Sequence, residues 1–133
     1  MMLENKLAIT NAAELARVEE RVSKKKALEM FETHFLDSLE VGTYQALSNI
    51  HHYLSGDIYE FAGKIRDVNI TKGNFRFASV IYLEDALQNI EKMTQATFDE
   101  IIEKYIEMNI AYPFREGNGR SMRVCVKNIR ATN

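Results

Sequence analysis

The sequence predicts an all-α fold, a helical bundle interrupted by one small β-hairpin. Three observations carry that expectation. Apolar residues recur at helical spacing across residues 11–22, 27–39, 43–55, 79–90 and 98–110. Only around residues 68–77 does the period shorten to two. The single proline, Pro113, halts the last helical run, because its ring restricts the preceding residue and cannot extend a helical hydrogen-bond ladder.

The elements follow in order. Asn11, with Glu14 three residues on, reads as a helix start, and Leu15, Val18 and Val22 then share a face. Ser23 is a candidate cap for a continuation in which Leu28, Phe31, Phe35 and Leu39 form a second apolar stripe, ending at Val41 and Gly42. Thr43 caps the next helix, where Tyr44, Leu47, Ile50 and Leu54 line one side and Gly56 ends it. His51 and His52 lie on this helix. Adjacent helical residues point about 100° apart, so the pair cannot chelate one metal as an i, i+4 pair would. His51 is expected to make a structural hydrogen bond near the core and His52 to be more exposed.

Residues 57–66, containing Phe61-Ala62-Gly63, read as a short helical piece. Val68 and Ile70, then Phe75 and Phe77, alternate on either side of Lys72-Gly73-Asn74, whose turn chemistry predicts a hairpin. Ser79 opens a helix carrying Leu83, Leu87 and Ile90. Thr97 and Glu100 form a capping box for the following one, on which Phe98, Ile101, Ile102, Tyr105 and Ile110 are expected to face inward.

Length and composition bound the function. At 133 residues the chain reads as one structural domain, with an N-terminal helical segment over 1–40 and a core over 41–133. A hydrophobic content of 46% and a charged content of 27% are ordinary globular values. The net charge of −2 offers no electrostatic case for nucleic acid or an anionic membrane, and Lys24-Lys25-Lys26 reads as a solvated helix face. Cys125 is the only cysteine and cannot form an internal disulfide. Together with the lack of a signal-like or membrane-spanning apolar run, this leads to the expectation of a soluble, cytoplasmic protein.

Chemistry concentrates after Pro113. In Glu116-Gly117-Asn118-Gly119, glycines flanking an asparagine supply the backbone angles that turn successive N–H groups into one concavity, a nest for an anion. A helix starting there adds its free N–H groups and positive dipole end. Arg120 and Arg123 are three apart, share one helix face and reach the same polyphosphate. Glu116 at the rim is a hard oxygen donor suited to magnesium. A lone Gly-x-Gly would be an ordinary helix–helix connection; a carboxylate, the turn and paired arginines together read as a phosphate-binding loop.

Pro113-Phe114-Arg115-Glu116-Gly117-Asn118-Gly119-Arg120-Ser121-Met122-Arg123 resembles the signature of Fic-domain proteins, His-x-Phe-x-(Asp/Glu)-Gly-Asn-Gly-Arg-x-x-Arg. The stretch Phe61-Ala62-Gly63-Lys64-Ile65-Arg66 and the hairpin after it are similar to the segment leading into the family's flap. The resemblance implies a Fic-type helical bundle with a hairpin flap, and transfer of AMP from ATP to a Ser, Thr or Tyr hydroxyl of a target protein. It implies that Glu116 holds Mg²⁺ and that Gly117, Asn118 and Gly119 cradle the phosphates. Arg120 and Arg123 would stabilise the outer phosphates, and Phe114 would anchor the loop. Lys72 and Gly73 of the flap would cover the nucleotide, while Ile70, Thr71, Lys72, Gly73, Asn74 and Phe75 would register the target by strand-like pairing.

One position departs from the signature: Tyr112 stands where the family has its catalytic histidine. A free phenol is ionised roughly one part in a thousand at pH 7, and losing a general base costs about 10²- to 10⁴-fold. Nucleotide binding is therefore expected to outlast transfer. The alternatives are a non-catalytic nucleotide- or target-binding pseudoenzyme and a degenerate, truncated remnant, since the family's further helices do not follow Arg123 in this sequence. The chain is similar in its N-terminal and flap regions to a subgroup with a C-terminal inhibitory helix. The nearest match to that inhibitory pattern, from Thr10 to Glu14, is followed by Leu15 rather than Gly or Asn. Arg123 is accordingly expected to be uninhibited in cis.

Overall fold

The computed structural model describes residues 3–132. Helix α1 (Ala12–Glu32) is followed by a short 3₁₀ helix (Phe35–Ser38) and α2 (Tyr44–Ser55). A two-stranded antiparallel hairpin, β1 (Thr71–Lys72) and β2 (Phe75–Arg76), leads to α3 (Val80–Glu91), α4 (Phe98–Ala111) and α5 (Asn118–Thr132). None of the described helices is long and apolar enough to cross a membrane.

Three of the predicted caps form. Asn11 and Thr43 accept from the N–H groups of Glu14 and Ala46, and Thr97 with Glu100 closes a full capping box. Each satisfies helix-end donors that have no intrahelical partner. One core cluster joins Met30 of α1 to Leu47 and Ile50 of α2, Leu83 of α3, Met108 of α4 and Ile129 of α5, with Phe114 from the loop at its centre. Phe114 is fully buried, a placement that contributes about 2–3 kcal/mol and fixes the loop to the bundle. A smaller cluster of Leu15, Ile58 and Tyr59 ties the first turns of α1 to the segment after α2.

Several expectations are corrected. Ser23 does not cap a second helix; its hydroxyl donates to the Glu20 carbonyl inside an unbroken α1. The buried face of α1 runs through Leu15, Glu19, Ser23 and Met30, so Leu28 and Phe31 fall off it and are exposed. On α4, Tyr105 is buried and Ile101 and Ile102 pack half-buried against the core as expected, joined by Lys104, Met108 and Ala111, while Phe98 and Ile110 are exposed. Lys104 enters the core because its ammonium reaches the Glu91 carbonyl and Gln95 Oε1. Residues 57–64 are not helical but a series of turns. Their N–H groups close short bonds such as Ala62 to Tyr59 and Lys64 to Phe61 while Tyr59 is held in the smaller cluster. Ser79 precedes α3, but the helix's first N–H, at Val80, is taken by Asn69 Oδ1.

The hairpin is shorter than the alternating pattern suggested. Thr71 pairs with Arg76 and Lys72 with Phe75, and one further bond from the Phe77 N–H to the Ile70 carbonyl, 3.2 Å, continues the pairing. Gly73 turns it at φ +58°, with nothing near the position a Cβ would take.

Candidate active site

The Gly-Asn-Gly loop is fixed from beneath. Asn118 is buried, and its side chain clasps Phe114 in both directions: Oδ1 accepts from the Phe114 N–H at 2.9 Å and Nδ2 donates to the Phe114 carbonyl at 2.6 Å. The Asn118 side chain therefore faces the loop interior, and only its backbone remains for an anion. Gly117 takes φ +82°, and its carbonyl accepts from the Ser121 N–H to start α5. As at any helix N-terminus, the leading N–H groups of α5 have no intrahelical acceptor. Glu116 Oε1 accepts from the Gly117 N–H at 3.1 Å.

His51 holds the loop from α2. The Gly63 N–H donates to its Nδ1 at 2.8 Å, so Nε2 carries the proton and donates to the Glu116 carbonyl at 2.6 Å. Its ring stacks on Phe114, centroids 3.9 Å apart. Burial pushes the imidazole down to about 4, only partly opposed by the bond to the Glu116 carbonyl, and keeps it neutral. The expected structural role of His51 and the exposure of His52 both hold.

Arg120 and Arg123 leave the first turns of α5 and line one cleft with Ser23, Lys24 and Ala27 of α1 and Leu54 of α2. Arg120 Nη1 also donates to Glu19 Oε2 at 2.8 Å, a carboxylate the sequence reading did not place here. Loop and hairpin meet at Tyr112, the residue before Pro113, whose ring stacks on Phe77. Among the described residues no group of three or more His, Cys, Asp or Glu side chains gathers around a common point, so any ion held by Glu116 must draw its other oxygens from elsewhere.

Tyr112 is the hinge between loop and hairpin. It ends α4 in the left-handed conformation, φ +57°, uncommon for a residue with a Cβ. Its ring stacks on Phe77, centroids 3.9 Å and planes 14° apart, and Lys72 Nζ lies 5.4 Å from the ring centroid. Contact with the Tyr112 hydroxyl is the main reason the Lys72 ammonium is held above its usual range.

Arg66 fixes the same junction from below. Its buried guanidinium donates to four carbonyls: Tyr112 at 2.6 Å, Ala111 at 3.1 Å, Val68 at 2.7 Å and Ala78 at 2.5 Å. The end of α4 and both stems of the hairpin are therefore bound to one side chain.

The family model described as Fic/DOC matches residues 42–129. The chain belongs to that family. Protein adenylyltransferase VbhT of Bartonella schoenbuchensis is 32% identical over 133 residues, covering 92% of this chain and 27% of that protein. A probable protein adenylyltransferase Fic of Salmonella typhimurium is 29% identical over 139 residues, covering 96% of this chain and 67% of that one. The chain thus spans about a quarter of the first relative's length. Among solved structures, the N-terminal Fic domain of Bep8 from a Bartonella species superposes with a TM-score of 0.78 at 19% identity, covering 98% of this chain and 71% of that one. BepC of Bartonella tribocorum, solved with AMPPNP bound, gives 0.75 at 21%, covering 99% and 74%. These structures establish the Fic fold, a helical bundle with a hairpin flap.

Of the residues singled out from the sequence, the structure brings Glu116, Gly117, Asn118, Gly119, Arg120 and Arg123 to one helix N-terminus, and Tyr112 to the flap residue Lys72. Gly73 is at the open tip of the flap. Glu19, Tyr59 and Arg66 were missed. Glu19 carried a readable signal, since it stands four residues after Leu15 on the buried face of α1.

Proposed function

We propose that this chain is a Fic-type protein adenylyltransferase domain whose nucleotide-binding parts are whole and whose proton acceptor is not. The observation that carries the proposal is the convergence of Glu116, the leading amides of α5, Arg120 and Arg123 at one helix N-terminus, with Lys72 of the flap over Tyr112 just before the loop. The relatives named as adenylyltransferases support the same reading.

In this reading the amides of Asn118 and Gly119, joined by that of Gly117 when Glu116 releases it for the ion, cradle the ATP phosphates, and Arg120 and Arg123 neutralise the outer ones. Glu116 fits magnesium, which commonly takes one or two protein carboxylates and fills its remaining positions with phosphate oxygens and water. Bound there, the ion would neutralise charge on the phosphates. Lys72 and Gly73 close over the nucleotide, and the flap edge from Ile70 to Phe75 aligns a target segment. A target hydroxyl then attacks the α-phosphorus, the bond to pyrophosphate breaks, and the hydroxyl proton needs an acceptor. With ATP as donor, the cytoplasm is the working compartment.

Tyr112 occupies the position from which that acceptor would act. Its ring is committed to Phe77 and Lys72, which favours a second reading, a pseudoenzyme that binds nucleotide or target without transfer. Transfer from α-labelled ATP to protein separates the two. Wild type is expected to label weakly and Tyr112→His to label about 10²-fold faster or more. A wild type that binds nucleotide but transfers no label establishes the pseudoenzyme reading instead.

A further inference from the structure

Arg120 is anchored to α1. Its Nη1 donates to Glu19 Oε2 at 2.8 Å, and the other oxygen of that carboxylate accepts from the Tyr59 hydroxyl. Glu19 is 8% exposed and Tyr59 2%, and Tyr59 belongs to the small cluster with Leu15 and Ile58 that seats α1. A carboxylate this deep is stable only because both oxygens are bonded, one of them to a cation. It is a fixed point.

A guanidinium carries five N–H donors in one plane. Securing one of them halts rotation of a long, flexible side chain and leaves the others for a second anion. Glu19 and Arg120 are 101 residues apart in the chain, so the contact makes the orientation of a loop arginine depend on the docking of the N-terminal helix.

We propose that Glu19, braced by Tyr59, is a positioning residue for Arg120, making α1 one wall of the triphosphate site. The proposal rests on the reading of Arg120 as a phosphate ligand. The opposite role, a counter-charge that the triphosphate must displace, predicts tighter nucleotide binding once Glu19 is neutralised. The two roles differ in sign.

Calorimetric titration of the whole chain with ATP and magnesium decides between them, using Glu19→Gln, Tyr59→Phe, Arg120→Ala and the double variant Glu19→Gln/Arg120→Ala. Glu19→Gln is expected to weaken ATP about tenfold and Tyr59→Phe, which removes only a hydroxyl, about threefold. In the Arg120→Ala background, Glu19→Gln is expected to cost nothing further, because a positioning residue has no effect without the side chain it positions. A merely structural Glu19 would give additive losses, and that result overturns the proposal. So does unchanged or tighter binding by a folded Glu19→Gln. Should Glu19→Gln not fold, Tyr59→Phe, alone and combined with Arg120→Ala, carries the test by the same criterion. A wild type that takes up no ATP defeats the nucleotide reading and this proposal together, whereas a binding wild type with unaffected or additive variants defeats this proposal alone.

Discussion

The Gly-Asn-Gly loop and the flap meet at Tyr112, yet they are held in opposite ways. The loop is pinned at residue after residue: Phe114 in the core, Asn118 folded back on Phe114, His51 bonded to the Glu116 carbonyl. The flap consists of two-residue strands whose residues are all exposed, held at its base by Arg66 and on its face by the stack of Phe77 on Tyr112. A nest for a fixed charge pattern needs preorganised donors. On the proposed function, a flap edge that aligns target segments has to yield.

If that contrast is right, its strongest perturbation is at the shared junction. Arg66→Met should leave four carbonyls, one of them buried, without their donor and destabilise the protein by about 3–5 kcal/mol in urea unfolding. Limited proteolysis at Lys72 and Arg76 should accelerate in the same variant, because both flap stems lose their anchor. Uniform protection would show the flap to be held elsewhere.

Breaking the loop side alone should be milder and leave the flap unchanged. Asn118→Ala removes a reciprocal pair of bonds and should cost about 2–3 kcal/mol, with amide exchange accelerated at residues 114–119 and unaltered at 70–77. Equal acceleration in both segments would merge the two regions into one unit.

The pH dependence reports on the loop as well. His51, pushed down to about 4 by burial from an ordinary 6.5, is neutral when folded and takes up a proton on unfolding between those values. Stability is therefore full above pH 6.5 and lost as pH falls towards 4, by on the order of 3 kcal/mol. In His51→Gln, less stable at neutral pH, that contribution to the slope should vanish. An unchanged slope would remove His51 as its source.

The smallest effect belongs to the flap face. Phe77→Ala should lower global stability by only about 1 kcal/mol while raising amide exchange across residues 70–77. A large global loss would mean the flap is part of the core.

What the sequence revealed follows the reach of its signals. Caps and turns are local, so Asn11, Thr43, Thr97 with Glu100, and the Gly73-Asn74 turn were readable from neighbouring residues. The run from Glu116 to Arg123 was readable as one unit because it is contiguous, and the structure gathers it at the start of α5. Helix faces were less secure: Leu28, Phe31, Phe98 and Ile110 fit an apolar stripe but are exposed, and the inward positions went to polar residues with long-range partners, Glu19 and Lys104. Arg66 gave no warning, since a side chain bonded only to distant carbonyls leaves no pattern of spacing. The bonds from the Asn118 side chain back to Phe114 left no mark in the sequence, because Gly-Asn-Gly reads as the same turn whichever way the amide points.

The central claim is that the N-terminus of α5 grips a magnesium-bound triphosphate. Isothermal titration of folded wild type with ATP and magnesium tests it directly, beside Arg123→Ala and Glu116→Ala. The account predicts saturable binding at one site per chain, weakened by each substitution and, for Glu116→Ala, no longer strengthened by magnesium. Absence of binding by folded wild type, or binding indifferent to both residues, would contradict it.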